Sequence, residues 1–380
     1  MVSGFSSIPA PPTLKAGMAF ESGSAYRLTR RLGMGGMGEV WLADRRSAAG
    51  HTQRVAVKFL SAGTRSASLA AEALRISQLS HDNIVPFLDS GRDANGRFFV
   101  AMAYVEGVDL DGLRDMIGMS PDAVCASRAA TRLPDTIVGF VIFMVLRALQ
   151  HAHTFVFEDK VVGLVHRDVS PGNILIDEAR GFVKLTDFGV AIAGGQQYGE
   201  VVGKVPYMAP EVLMGEPADG RADLYGLGVV SYELLTGFNP SIHLCMLGNV
   251  LGAISQVMVS LTRPLRLPHE VIAGVDERLS NIVGRMLFAT PDVRYSSAEE
   301  ALADVRGYLF DRGVGPTTGS LAAYMRLMRC PDLVPTPFQR ASLVFLEDGT
   351  GNLAVHPRRV LTPEAKRDFE AGKNPARRGA

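Results

Sequence analysis

From Tyr26 to about Val105, Val, Leu, Phe and Tyr alternate with polar residues between glycine-rich turns. That period of two predicts a run of β-strands. One helix interrupts it, around Ser66 to Leu79, where Leu69, Ala73 and Ile76 fall on a single apolar face. After Pro134 the period lengthens and long helices are predicted up to about Phe310. They include Asp135–His153, Arg221–Thr236, which Gly237 stops, and Ser297–Leu309. A β-rich small lobe followed by a mainly helical large lobe is an α+β, bilobal architecture with a cleft between the lobes.

Both ends break the pattern. Residues 1–25 are rich in Ser, Pro and Ala and are expected to form a flexible leader. Residues 311–380 form a C-terminal extension, expected to be partly helical or disordered, with a docked helix around Ser320–Met328. From Pro331 it carries three prolines, then a hairpin around Glu347–Asn352. Thr362-Pro363-Glu364 reads as a helix start. The predicted folded unit is therefore 26–310, divided into 26–105 and 106–310.

Composition narrows the function classes. The 39 basic and 39 acidic residues cancel, so nothing points to bulk electrostatic binding of nucleic acid or membrane. Cys125, Cys245 and Cys330 lie far apart, which argues against a disulfide framework or zinc site and fits a reducing compartment. The most apolar run, Ile137 to Leu146, is closed by Arg147 and is too short to span a bilayer. A soluble, cytoplasmic chain without a membrane span is expected; its oligomeric state is not encoded in any legible way.

The chemistry concentrates in two segments. His166 to Asn173 reads HRDVSPGN, and fourteen residues later stands Asp187-Phe188-Gly189. Together they place Asp168, Asn173 and Asp187 at the spacing of a metal–nucleotide phosphoryl-transfer site. Such a site needs a base beside the attacking hydroxyl, for which Asp168 is the candidate. It also needs hard oxygen ligands, for which Asn173 and Asp187 are candidates. His166 reads more readily as a satisfied core residue than as a catalyst.

Upstream, Gly33-Met34-Gly35-Gly36-Met37-Gly38 separates two strand-like runs. Glycines there let backbone N–H groups approach phosphates. A dinucleotide-binding turn would need a helix directly after them, whereas Glu39–Ala43 continues as strand. Lys58 closes the apolar run Val55-Ala56-Val57 and could reach phosphates. Glu72 places a charge on the apolar face of the predicted helix, beside Leu69 and Ile76, and is a suitable partner for Lys58.

In this order the motifs resemble those of the eukaryotic-like (Hanks-type) protein kinases, particularly bacterial serine/threonine kinases, over Tyr26 to Phe310. The resemblance implies an ATP- and Mg2+-dependent transfer of phosphate to protein hydroxyls, with Mn2+ as an alternative ion. It assigns nucleotide contacts to Gly33, Gly35, Gly36, Gly38, Val40, Ala56, Lys58, Met102, Ala103, Val105 and Leu175, with Met102 as gatekeeper and Ala103 and Val105 as hinge. It assigns catalysis to Lys58, Glu72 and Asp168 and metal binding to Asn173 and Asp187. Asp223 resembles the aspartate that anchors the catalytic loop, and Arg294 the arginine that pairs with Glu211 of Ala209-Pro210-Glu211. A pseudokinase acting as a nucleotide-binding scaffold is the alternative reading.

Two departures bear on that choice. The family's serine/threonine kinases usually carry lysine two residues after the catalytic aspartate, and here Ser170 stands there. They usually carry threonine where this chain has Lys204. The expectation is a reciprocal exchange: Lys204 restores the cation, contacting the γ-phosphate or Asp168, and Ser170 restores the hydroxyl. Dual or tyrosine specificity stays open on this reading. Between Gly189 and Pro210 the only side-chain hydroxyls are Tyr198 and Tyr207. Activation through a loop phosphothreonine is therefore impossible, which leaves a constitutive arrangement, with Glu200 facing Arg167, or phosphorylation of Tyr198.

Overall fold

The computed structural model describes residues 13–35, 38–47, 49–60, 74–119, 132–188, 204–241, 265–311, 317–329, 343–347 and 353–357. Gly36, Glu72, Tyr198, Glu200, the three cysteines and Thr362 lie outside these residues.

The small lobe is one antiparallel sheet in the order β1-β2-β3-β4-β6-β5. Its strands are β1 (Ala19–Ser22), β2 (Ser24–Gly35), β3 (Gly38–Arg46), β4 (Thr52–Leu60), β5 (Phe87–Arg92) and β6 (Phe98–Ala103). Alternation on β2 buries Tyr26 and Leu28, which meet Trp41, Val55, Val57, Phe59 and Phe99 in a core of their own. The predicted leader is partly wrong. β1 pairs with β2 in register Phe20↔Tyr26, and Leu14 is buried in the same core. Phe20 stacks on Tyr26 at 4.8 Å and meets Phe59 and Phe99 edge-on, so aromatic packing draws residues 13–25 into the lobe. Residues 74–77 are helical, within the predicted Ser66–Leu79 helix.

A short strand β7 (Gly107–Asp109) leads into α1 (Leu110–Ile117) and the large lobe. Asp109 caps α1 by accepting from the Gly112 N–H at 2.7 Å, and Gly118, at φ 73°, ends it. The central helix α2 (Asp135–His153) is apolar on almost every side because it is surrounded. By length and composition it could cross a membrane, yet 61% of its apolar stretch is buried inside the protein, against the helices Ala298–Phe310 and Gly220–Thr236. Two small hairpins follow: β8 (Val156–Phe157) with β9 (Lys160–Val161), and β10 (Ile174–Asp177) with β11 (Val183–Leu185). β10 also pairs with β7.

The remaining helices are α3 (Pro210–Leu213), α4 (Gly220–Thr236), α5 (Pro268–Val271), α6 (Glu277–Met286), α7 (Ala298–Phe310) and α8 (Thr318–Met328). Local signals set their ends. Asp219 caps α4 and Gly237, at φ 79°, closes it; Asp276 caps α6 and Ser297 caps α7. The large-lobe core does not stop at Phe310. Leu321, Tyr324 and Met325 of α8 are fully buried in it, and Arg329 pairs with Glu178 on the β10–β11 turn. The docked helix expected around Ser320–Met328 is thus present, and it packs on the core beyond the 310 boundary expected for the folded unit. In the extension, β12 (Leu343–Glu347) and β13 (Leu353–Pro357) form the expected antiparallel pair.

Candidate active site

A cleft of about 990 Å³ separates the two lobes. Its walls include Gly33, Gly35, Gly38, Val40, Ala56, Lys58, Met102, Ala103, Val105 and Leu175, with Asp168, Asn173, Asp187 and Lys204 at its inner end. Residues spread over 172 positions of sequence thus meet in one cavity, lined from the small-lobe sheet on one side and from the β7-β10-β11 sheet and its neighbouring loops on the other. Val85, Tyr104, Asp109, Gly112 and Thr186 also line it, and the sequence did not single them out.

Strand register presents the roof. Val40 lies opposite Lys58 on the β3–β4 ladder, and Ala56 lies opposite Met102 on β4–β6. Because β4 is a central strand, Lys58 is not an edge lysine pointing to solvent. It is 6% exposed, and its Nζ meets Asp187 Oδ2 at 2.9 Å. A charge buried to that degree needs such a partner. Gly38 must be glycine: its φ is +134°, and a Cβ there would stand 1.9 Å from the Phe59 carbonyl oxygen. At Gly33 and Gly35 a Cβ would meet no atom of the described residues within 4 Å, and both glycines line the cleft.

Asp168 is held on both oxygens. Asn173 Nδ2 donates to Oδ2 at 2.8 Å and to the Asp168 carbonyl at 2.7 Å, while the Lys204 backbone N–H donates to Oδ1 at 3.3 Å. The loop that carries Asp168 hangs from Asp223, a carboxylate 1% exposed on α4. Asp223 accepts from the backbone N–H groups of His166 and Arg167 at 2.8 and 2.7 Å, and its Oδ2 lies 2.8 Å from His153 Nε2. That anchorage sustains the left-handed backbone of Arg167 (φ 65°), a strain of roughly 1–3 kcal/mol for a non-glycine residue. Asp187 (φ 64°) is similarly constrained by Lys58.

His166 resolves as a structural residue. It is fully buried, its Nε2 donates to the Thr186 carbonyl at 2.8 Å, and its Nδ1 accepts from the Asp168 N–H at 3.2 Å. Those two bonds fix the Nε2–H tautomer. Phe188 meets the ring edge-on at 4.6 Å, tying the segment of Asp168 to that of Asp187.

The expected exchange between 170 and 204 is only half visible. Ser170 is fully buried, its Oγ has no hydrogen-bond partner among the described residues, and it does not line the cleft. Its extended backbone (φ −148°, ψ 162°) enters the Pro171–Asn173 turn. Ser170 therefore does not supply a hydroxyl to Asp168. Lys204 does line the cleft, but its ammonium meets Asp111 Oδ2 at 3.0 Å, and only its backbone reaches Asp168. Gly172 makes room for it: a Cβ there would stand 2.9 Å from Lys204 Nζ.

Burial pushes the Asp109 carboxyl above its ordinary range, opposed by the Gly112 N–H it accepts from. At the far end of the segment, Arg294 forms a fork with Glu211, both bonds 2.7 Å, with side chains 0% and 6% exposed. Arg294 also donates to the carbonyls of Phe288, Ala289 and Arg221, so the pair clamps α3 to α4 and α6.

For a metal the donor set is one amide and one carboxylate, Asn173 and Asp187, both hard oxygen donors suited to Mg2+. Among the described residues no group of three or more His, Cys, Asp or Glu side chains could hold an ion alone. The two side chains fit an ion whose remaining ligands are phosphate and water oxygens, the usual way Mg2+ is bound beside a nucleotide.

The family profile described as protein kinase domain matches residues 26–305. Among curated proteins, the serine/threonine-protein kinase Pkn1 of Myxococcus xanthus is 34% identical over 90% of this chain. The tyrosine-protein kinase MasK of the same species is 30% identical over 83%, and the serine/threonine-protein kinase PknJ of Mycobacterium tuberculosis 33% identical over 80%. The chain spans about half the length of these relatives: 47%, 48% and 49% respectively. The solved kinase domain of Mycobacterium tuberculosis PknI is similar in structure, with a TM-score of 0.55 at 25% identity, covering 78% of this chain and 99% of that one.

Proposed function

We propose that this chain, which belongs to the protein kinase domain family, is an active serine/threonine protein kinase using ATP and Mg2+. The observation that carries this is the convergence of Lys58, Asp168, Asn173 and Asp187 at one end of a single cleft, with glycine-rich β2–β3 backbone above it. Nothing in this arrangement favours a pseudokinase: among the described residues all four groups line the same cleft.

In this reading Asp168, fixed by Asn173 and by the Lys204 backbone, orients the protein hydroxyl and takes its proton. The hydroxyl oxygen bonds to the γ-phosphorus as the bond to the β-phosphate oxygen breaks, and ADP leaves. Lys58 would hold the α- and β-phosphates, and Asn173 and Asp187 would hold the metal, which when bound would supply charge neutralisation to the phosphates. Lys204 supplies the cation for the transferring group that the catalytic loop lacks at Ser170.

Residue specificity is assigned to serine and threonine on kinship with Pkn1 and PknJ. MasK, named a tyrosine kinase, is the reason to test it. Protein substrates are proposed on the same kinship, and a cytoplasmic location is proposed from the sequence alone. Incubation with γ-labelled ATP and Mg2+, with Asp168→Asn as control, followed by phosphoamino-acid separation, tests both points. Label on serine or threonine that the control lacks is the expected result. Label on tyrosine alone would replace the specificity, and no label would leave the scaffold reading.

A further inference from the structure

We propose that Asp111 of α1 is the positioning residue for Lys204, and that together with Arg114, Glu233 and Tyr207 it forms a clamp that aims the catalytic cation. The proposal rests on the kinase reading above and deepens it.

The geometry is a closed circuit. Lys204 Nζ meets Asp111 Oδ2 at 3.0 Å, and Asp111 Oδ1 meets Arg114 Nη1 at 3.0 Å. Arg114 Nη2 pairs with Glu233 Oε1 at 2.7 Å, and Glu233 Oε2 accepts from the Tyr207 hydroxyl at 2.8 Å. Tyr207 and Lys204 are the two ends of one turn, closed by the Tyr207 N–H on the Lys204 carbonyl at 2.9 Å. Three elements separated in sequence, α1, the 204–207 turn and α4, thus share one circuit.

The circuit is rigid at one end and loose at the other. Arg114 and Glu233 are 5% and 1% exposed, so neither can give up its partner without stranding a buried charge. Burial pushes the Glu233 carboxyl upward, and the Arg114 charge opposes that shift. Lys204 and Asp111 are 48% and 41% exposed, and a pair that open to water contributes little to stability. It is therefore poorly explained as a structural brace. A weak pair with one oxygen of Asp111 already fixed by Arg114 is suited to holding an ammonium in a defined direction while letting it exchange partners. An incoming phosphate, with more charge than one carboxylate, would compete for it. The direction matters, since the same residue's N–H already touches Asp168 and its ammonium stands over Gly172 inside the cleft.

A double-mutant cycle tests the proposal. The full chain is assayed for kcat and KM of ATP in wild type, Lys204→Ala, Asp111→Ala and the double variant, with thermal unfolding of each as a control for folding. Lys204→Ala is expected to lower kcat on the order of 100-fold with little change in KM, the signature of a lost transition-state contact. Asp111→Ala is expected to lower kcat several-fold in the wild-type background and not at all beside Lys204→Ala, and Asp111→Glu to restore most of the loss. An equal loss in both backgrounds would overturn the proposal, since a structural role does not depend on Lys204. So would wild-type turnover in Asp111→Ala. If wild type itself transfers no phosphate, the kinase reading fails and this proposal falls with it. If wild type is active and Lys204→Ala is unimpaired, the proposal alone fails.

Discussion

Lys204 touches Asp168 with its backbone and Asp111 with its side chain, at 3.3 and 3.0 Å. The residue that holds the candidate base is therefore also the residue that carries the cation into the cleft. This separates two roles that a contact between the Lys204 ammonium and Asp168 would have merged. Replacing Lys204 by alanine removes the cation but keeps the N–H that holds Asp168. Its stability is expected to change by less than about 1 kcal/mol, because the lost pair is exposed. Chemical denaturation of Lys204→Ala beside wild type checks this.

Asp223 is expected to be a stability residue as much as a functional one. It accepts from two backbone N–H groups and faces His153, all around a buried carboxylate. Asp223→Ala leaves those donors without partners and should cost on the order of 3 kcal/mol, read as a lower urea midpoint. Relaxation of the strained backbone at Arg167 should also lower phosphate transfer even where the protein stays folded.

Arg294→Ala should be among the most damaging single substitutions. It strands Glu211 in the interior, and breaking a buried pair from one side costs about 3–5 kcal/mol. Replacing both partners with apolar residues of similar volume should recover part of that loss. Unfolding curves of the single and double variants distinguish the stranded charge from lost packing.

Gly38→Ala tests the roof of the cleft. A Cβ would meet the Phe59 carbonyl oxygen at 1.9 Å, and φ +134° is closed to alanine. The β2–β3 turn must move, so KM for ATP should rise several-fold with a smaller change in kcat. Equal affinity for ATP in the variant and in wild type would contradict the placement of phosphates beneath this turn.

Stability should also fall on mild acidification. Burial, then the charges of His151 and Arg147, push the His81 pKa below its ordinary value of 6.5; Asp82 opposes them and Lys184 adds to them. His81 stacks on His151 at 5.1 Å. The unfolded chain therefore takes up a proton at 81 before the folded one does. The contribution is fully present above about pH 6.5 and is lost as pH falls through the lower folded value. Unfolding free energies between pH 7.5 and 5 should show a decline that His81→Gln flattens.

Much of the site was legible because its residues sit in contiguous motifs whose spacing is set by local geometry. Asp168 and Asn173 share one turn, and Lys58 lies in the buried half of β4. The circuit behind Lys204 was not legible. Asp111, Arg114 and Glu233 belong to two helices more than a hundred residues apart, and charges on helices ordinarily read as solvated faces. A signal did exist at Glu233, a lone carboxylate in the apolar run Gly228–Leu235. Such a charge on a buried helix requires a partner, and Arg114 is that partner. Ser170 misled for a related reason: sequence places it at the catalytic position, whereas the folded chain buries it fully and leaves it out of the cleft lining. Likewise Leu14 and Phe20 read as a loose leader among prolines and serines, because their aromatic partners Tyr26, Phe59 and Phe99 are scattered along three other strands.

The most direct test of the account is phosphosite mapping by mass spectrometry of wild type and Asp168→Asn after incubation with ATP and Mg2+. Phosphate on serine or threonine residues of the wild type, and none on the variant, is the predicted result. An unmodified wild type that still binds ATP and phosphorylates no added protein would contradict it, and would make the cleft a binding site without chemistry.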